Sequence, residues 1–206
     1  MIQSNVKALI LAGGQSSRLG RDKTRIRFKG MTLLERSIGL ARQFCTEVAV
    51  SGRDRRVIQG LDVDWVEDGT ERIGPMGGIL TGLHHFRAPV LVLACDLPLL
   101  DPATLGRLFK ARDERPQEAL MTTFVQRETG FIEALLAIYE PEATDLLEAT
   151  LADGVYKLSR AIEPARRHHI PYDREEEPCF FNINFPGDLA ILRYVEKIHT
   201  EEGFKL

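Results

Sequence analysis

Residues 6–23 read VKALILAGGQSSRLGRDK, and residues 89–98 read PVLVLACDLP. In the first stretch an apolar run from Val6 to Ala12 gives way to Gly13, Gly14, Ser16 and Ser17, then to Arg18, Arg21 and Lys23. A strand covered by helices on both faces is nearly continuous in apolar residues, whereas a half-exposed strand alternates. The second stretch repeats the pattern from Pro89 to Cys95 and ends at Asp96. Two such strands predict an α/β chain with a mostly parallel sheet, whose ligands gather at the carboxyl ends of the strands.

The flanking sequence supports this alternation. Thr32 and Glu35 have the spacing of a capping box, so a helix should run from there to about Phe44, with Leu33, Ile38, Leu40, Ala41 and Phe44 on its apolar side. Short strands are expected at 47–50 and 62–66. The GPMGG of residues 74–78 opens a helix to about Phe86, and Asp101 followed by Pro102 starts another to about Arg112. Strands are expected at 119–124 and 131–139, helical segments at 141–151 and 156–162, and an edge strand at 166–171. A last helix begins at Pro186 and ends near His199, burying Ile191, Leu192, Val195 and Ile198. The pattern predicts a three-layer α/β/α fold in one domain spanning 1–206. The region around 119–180, with an antiparallel piece near 119–139, should form an addition that closes one side of the cleft.

Composition narrows the function. The 206 residues are 44% apolar and 28% charged, as in an ordinary globular protein. A formal charge of −3 gives no broad basic surface, which argues against bulk nucleic-acid binding. Cys45, Cys95 and Cys179 are odd in number, far apart and not in metal-ligand spacing, so they read as thiols of a reducing compartment. There is no leader pattern, and no apolar run approaches the roughly 20 residues that cross a bilayer. The reading is a cytoplasmic protein with no membrane contact.

The chemistry begins with the first loop. Gly13 and Gly14 expose backbone N–H groups to close approach, the serines add hydroxyls, and Arg18 and Lys23 supply a guanidinium fork and a movable point charge. That combination fits a phosphate chain, although it is neither a Walker loop nor a GxGxxG turn. Asp96, at the end of the strongest strand, is placed to hold Mg²⁺, or else it is a turn residue before Pro98. Asn182 and Asn184 share a side if their stretch is extended, and could orient a phosphate; Asn184 could instead cap the last helix. Gly77 in the second glycine turn and Asp68 after the third strand could meet a base or ribose, or could be a tight helix start and a solvated acid. His84, His85, His168 and His169 lack ligand geometry. Arg166 to His169 form a small basic cluster at a predicted edge.

These motifs together resemble the MobA-like nucleotidyltransferase family, and most of all its molybdenum cofactor guanylyltransferases. The family's LAGG–S–R(M/L)G–DK pattern stands here as Leu11-Ala12-Gly13-Gly14, Ser17, Arg18-Leu19-Gly20 and Asp22-Lys23. Its GP(L/M)xG turn matches Gly74 to Gly78, its CDxP matches Cys95 to Pro98, and its late NxN pattern matches Asn182-Ile183-Asn184. An EPLxALY-like strand is echoed by Glu133 to Tyr139. The resemblance implies a Rossmann-like nucleotidyltransferase fold of the nucleotide-diphospho-sugar transferase type. It implies GTP and molybdopterin as substrates, GTP contacts from Leu11, Ala12, Gly13, Lys23 and Asp68, and Mg²⁺ on Asp96. It also implies transient contact with proteins that deliver or receive the cofactor. Three positions depart from the pattern: Gly52 stands for an asparagine, Ala134 for proline and Phe185 for threonine. Use of CTP, a sugar-phosphate acceptor, and a nucleotide-binding module without transfer activity remain open alternatives.

Overall fold

The structure is a computed structural model that describes residues 5–12, 19, 22–52, 54–67 and 73–202. Seven strands form one sheet: β1 (Lys7–Leu11), β4 (Val48–Gly52), β5 (Asp64–Glu67), β6 (Val90–Ala94), β7 (Met121–Gln126), β8 (Ile132–Tyr139) and β9 (Arg167–Tyr172), while β2 (Arg27–Phe28) and β3 (Met31–Thr32) make a small hairpin. The order across the sheet is β5-β4-β1-β6-β8-β7-β9. Only β8 runs antiparallel to its neighbours; β5, β4, β1 and β6 are mutually parallel, and β9 is parallel to β7. The α/β fold with a mostly parallel sheet is therefore present, and the antiparallel addition comes from β8.

Among the described residues six helices accompany the sheet: α1 (Leu33–Ala41), α2 (Pro75–Phe86), α3 (Pro102–Asp113), α4 (Ala143–Ala152), α5 (Leu158–Ala161) and α6 (Pro186–Glu202). Alternating strand residues feed two cores. Ala8, Ile10, Val50, Leu91 and Leu93 pack with α1 and α3 on one face. Leu9, Ala49, Val90 and Val92 pack with α2, α4 and α5 on the other. This is the three-layer arrangement, and it explains why β1 and β6 are apolar on both faces.

Local signals act as their chemistry requires. Glu35 N donates to the Thr32 hydroxyl at 3.1 Å while the Glu35 carboxylate accepts from Thr32 N at 2.7 Å. Thr104 N donates to Asp101 Oδ1 at 2.7 Å at the start of α3. α1 ends at Ala41, before the expected Phe44, which lies in a following turn and stacks on Phe109 at 5.1 Å. α6 departs more from expectation: Ile191 is 51% exposed, not buried. The buried side of α6 is Leu192, with Leu189 and Val195 partly buried, because the helix lies over a third, smaller cluster of Leu19, Ile26, Phe28, Leu33 and Ile183.

Cys45 and Cys95 are buried free thiols and Cys179 is half-buried. Burial pushes both the Cys45 and the Cys95 thiol up to about 12, leaving them protonated and unreactive near neutral pH. Among the described residues no helix is long and apolar enough to cross a membrane.

Candidate active site

The carboxyl ends of β1 and β6 are adjacent by register, Leu11 opposite Ala94. Ala12 N donates to Ser51 O at 2.7 Å, and Cys95 N donates to Leu11 O at 3.3 Å. The chain leaving β1 is thus tied to β4 on one side and β6 on the other before the glycine loop begins. Gly13, Gly14, Ser16, Ser17, Arg18, Arg21 and Asp68 lie outside the described residues.

Lys23 opens a short 3-10 turn, Lys23–Arg25, capped by Asp22, whose Oδ1 accepts from Thr24 N at 2.9 Å and from the Thr24 hydroxyl at 2.6 Å. Thr24 is buried, so the turn is fixed from beneath. Lys23 Nζ donates to Asp96 Oδ2 at 3.0 Å and to Asn184 Oδ1 at 2.7 Å. One ammonium thus joins three segments far apart in sequence. The Lys23 and Asp96 side chains are 18% and 19% exposed, so the pair is screened less than an ordinary surface ion pair.

The segment carrying the asparagines is anchored at several points. Ile183 is fully buried in the third cluster, and its N–H donates to Asp96 O at 3.1 Å. Asp188, in the first turn of α6, accepts through Oδ2 from Asn184 N at 2.7 Å and from Phe185 N at 2.8 Å. That carboxylate does the capping, which leaves the Asn184 carboxamide free to turn toward Lys23. Asn182 is half-buried and has no hydrogen bond among the described residues, so the structure joins Asn184, and not Asn182, to the cluster.

Two residues absent from the sequence-based set support the site: Asp188, and Arg36, which donates to Pro98 O at 3.1 Å and lies over the Phe28 ring at 5.0 Å. An acid two positions past Pro186 was a readable first-turn signal; Arg36 had none, because its target is a backbone oxygen 62 residues away.

The second glycine turn has a packing role. Gly74, at φ +70°, precedes Pro75 at the start of α2. Gly77 is buried and its N–H donates to Gly74 O at 3.2 Å. A Cβ on Gly78 would lie 2.8 Å from Leu11 Cδ2, and one on Gly82 would lie 2.8 Å from Leu9 Cδ2, so these glycines let α2 press onto β1. Gly52 is buried at the end of β4. His84 Nε2 pairs with Glu148 at 2.9 Å, and Arg167 Nε donates to Ile162 O at 2.7 Å as part of a backbone anchor.

The mixed side of the sheet meets the same edge with different side chains. Tyr172 donates its hydroxyl to Glu133 Oε1 at 2.7 Å, and burial holds the Glu133 carboxyl above its usual range. Tyr172 stacks on Phe180 at 4.1 Å, carrying the chain toward residues 181–184.

Among the described residues no cluster of three His, Cys, Asp or Glu forms a protein-only metal cage. A lone carboxylate beside a carboxamide is still the hard-oxygen donor set that suits Mg²⁺ when phosphates and water complete its octahedron. The residues therefore fit that ion at Asp96.

The sequence model of the family described as "MobA-like NTP transferase domain" matches residues 8–170. The chain belongs to that family. The chain is similar to a "Probable molybdenum cofactor guanylyltransferase" of Chloroflexus aggregans, 31% identical over 91% of this chain and 93% of the relative. A "Molybdenum cofactor guanylyltransferase" of Pseudomonas syringae pv. tomato is 32% identical over 88% of this chain and 90% of its own length. Among solved structures, molybdopterin-guanine dinucleotide biosynthesis protein A from Archaeoglobus fulgidus superposes with a TM-score of 0.73 and 26% identity, covering 95% of this chain and 100% of its own. The MobA-like match ends before α6, so Asn182, Asn184 and Asp188 lie beyond the matched residues.

Proposed function

We propose that this protein transfers GMP from GTP to the terminal phosphate of molybdenum-bound molybdopterin, releasing pyrophosphate. The observation that carries the reading is the convergence of Lys23, from the end of the first loop, on Asp96 at the tip of β6. A cation from a phosphate loop and a metal-suited carboxylate at one sheet edge are what nucleotidyl transfer needs. The names of relatives about 30% identical over most of the chain support guanine and molybdopterin as the substrates.

An oxygen of the acceptor's phosphate forms a bond to the α-phosphorus of GTP, the bond from that phosphorus to the bridging oxygen breaks, and pyrophosphate leaves with the electron pair. The nucleophile is already ionised, so no general base is needed, and the task is alignment of two anions. Backbone N–H groups at Gly13 and Gly14 hold the phosphate chain, while Arg18 and Lys23 offset charge gathering on pyrophosphate. Asn184 fixes the Lys23 ammonium, and Asn182 orients the incoming phosphate. Leu11, Ala12, Gly77 and Asp68 frame the nucleoside. Asp96, with water and phosphates, would hold Mg²⁺, which when bound withdraws charge from the phosphoryl oxygens. The buried thiols suit the reducing cytoplasm.

Pyrophosphate release is measured with each of the four NTPs, with and without molybdenum-loaded molybdopterin. Release only with GTP and only with that acceptor is the expected result. Equal or better use of CTP overturns the base assignment, and release with sugar phosphates alone overturns the acceptor.

A further inference from the structure

In the free protein the carboxylate best suited to a divalent ion already holds a cation. Lys23 Nζ lies 3.0 Å from Asp96 Oδ2 and is steadied at 2.7 Å by Asn184 Oδ1, with both charged side chains about four-fifths covered. We propose that Lys23 is an exchangeable placeholder: it blocks Asp96 against a divalent ion until a triphosphate arrives and draws the ammonium onto itself. This rests on the phosphate-loop reading of the site above, not on the identity of the base or acceptor.

Charge decides the order. One carboxylate and one ammonium sum to zero, so a divalent ion entering alone meets a neutralised ligand and a like charge within a few ångströms, in a site too covered for water to screen it fully. A triphosphate reverses that balance by bringing several negative charges, enough for both cations. The ammonium can move because it ends a flexible four-carbon stem, whereas Asp96 has a short side chain on an anchored backbone: its backbone oxygen accepts from Ile183 N at 3.1 Å, and the next turn is held by Arg36. The arrangement weakens a binary metal complex and favours entry of metal and triphosphate together.

Mn²⁺ binding to the whole protein, followed by electron paramagnetic resonance, tests this without turnover. The probes are Mn²⁺ alone and Mn²⁺ with inorganic tripolyphosphate. The wild type should bind Mn²⁺ alone at least tenfold more weakly than Lys23→Met, and should bind it tightly once tripolyphosphate is present. Lys23→Gln, which keeps amide N–H groups for Asp96 and Asn184 but carries no charge, should also bind Mn²⁺ alone more tightly than the wild type; it tests the proposal if Lys23→Met does not fold. Equal Mn²⁺ affinity of wild type and variants, or no binding by Lys23→Met alone, overturns the placeholder. Tight Mn²⁺–tripolyphosphate binding without GTP turnover breaks the guanylyl-transfer reading and leaves the placeholder standing.

Discussion

Two carboxylates stand at the same sheet edge in opposite electrostatic settings. Asp96 follows β6 and faces an ammonium; Glu133 lies near the start of antiparallel β8 and faces a phenol hydroxyl. By register the end of β6, the start of β8 and the ends of β7 and β9 share that edge. At that edge Asp96 is met by a cation, whereas Glu133 is met by a hydroxyl and driven toward its neutral form, the ion pairs Arg127–Asp173 and Arg174–Glu128 of the mixed half lying in more exposed positions beyond it. Phosphate transfer needs charge where phosphorus reacts, while an acceptor's heterocyclic part is better met by groups that do not add to the repulsion. Under the proposed function, the chemistry belongs to the β1–β6 side.

The largest effect should come from Asp96→Asn. Turnover should fall by about 10²–10³-fold, the size typical of losing a charge-stabilising group at a reacting centre. The unfolding free energy should change by about 1 kcal/mol or less, because the carboxamide oxygen still accepts from Lys23, which also keeps Asn184. Steady-state pyrophosphate release at saturating metal, paired with urea unfolding, checks both. Near-wild-type turnover would remove the distinction between the two carboxylates.

A smaller effect is expected where the charged half is tied to α6. Asp188→Ala should cost about 1 kcal/mol of stability as a lost cap, and lower kcat by up to about tenfold as Asn184 loses its aim at Lys23. Asp188→Asn, which still offers an oxygen to both N–H groups, should restore kcat. A purely structural Asp188 would lower the melting temperature while leaving kcat and the Lys23–Asn184 coupling in a double-mutant cycle unchanged.

Much of this was legible in the sequence because it is local. The Thr32/Glu35 box, the Asp101-Pro102 start and the runs at β1 and β6 each encode their element within a few residues, and the strands fall within two or three residues of expectation. Lys23 and Asp96 could be placed at one edge because each follows a recognisable strand. The misreading of Ile191 has a physical cause: α6 rests on a narrow hairpin-and-loop cluster, not on the sheet, so its buried stripe is too thin to fix from periodicity. The choice between Asn182 and Asn184 depended on the burial of Ile183 in the third cluster and on Lys23, 161 residues away, both of which are tertiary, whereas the Asp188 contact is local. The roles drawn for Gly13, Gly14, Arg18 and Asp68 still rest on sequence.

The smallest effect tests the neutral half. Burial raises the folded-state pKa of Glu133 above its ordinary value of 4.5, outweighing the hydrogen bond from Tyr172. The protonated acid is therefore the form the fold prefers. Its stabilising contribution is complete below about pH 4.5 and is lost as pH rises through the folded-state value. Glu133→Gln keeps an oxygen for the Tyr172 hydroxyl and carries no charge at any pH. The variant should match the wild type near pH 4 and melt higher at pH 7, by about a few degrees at most. Calorimetric melting at the two pH values reads this directly. If Glu133→Gln melts lower at pH 7 but not at pH 4, the carboxylate is being held by positive charge, and the two ends of the sheet edge are electrostatically alike.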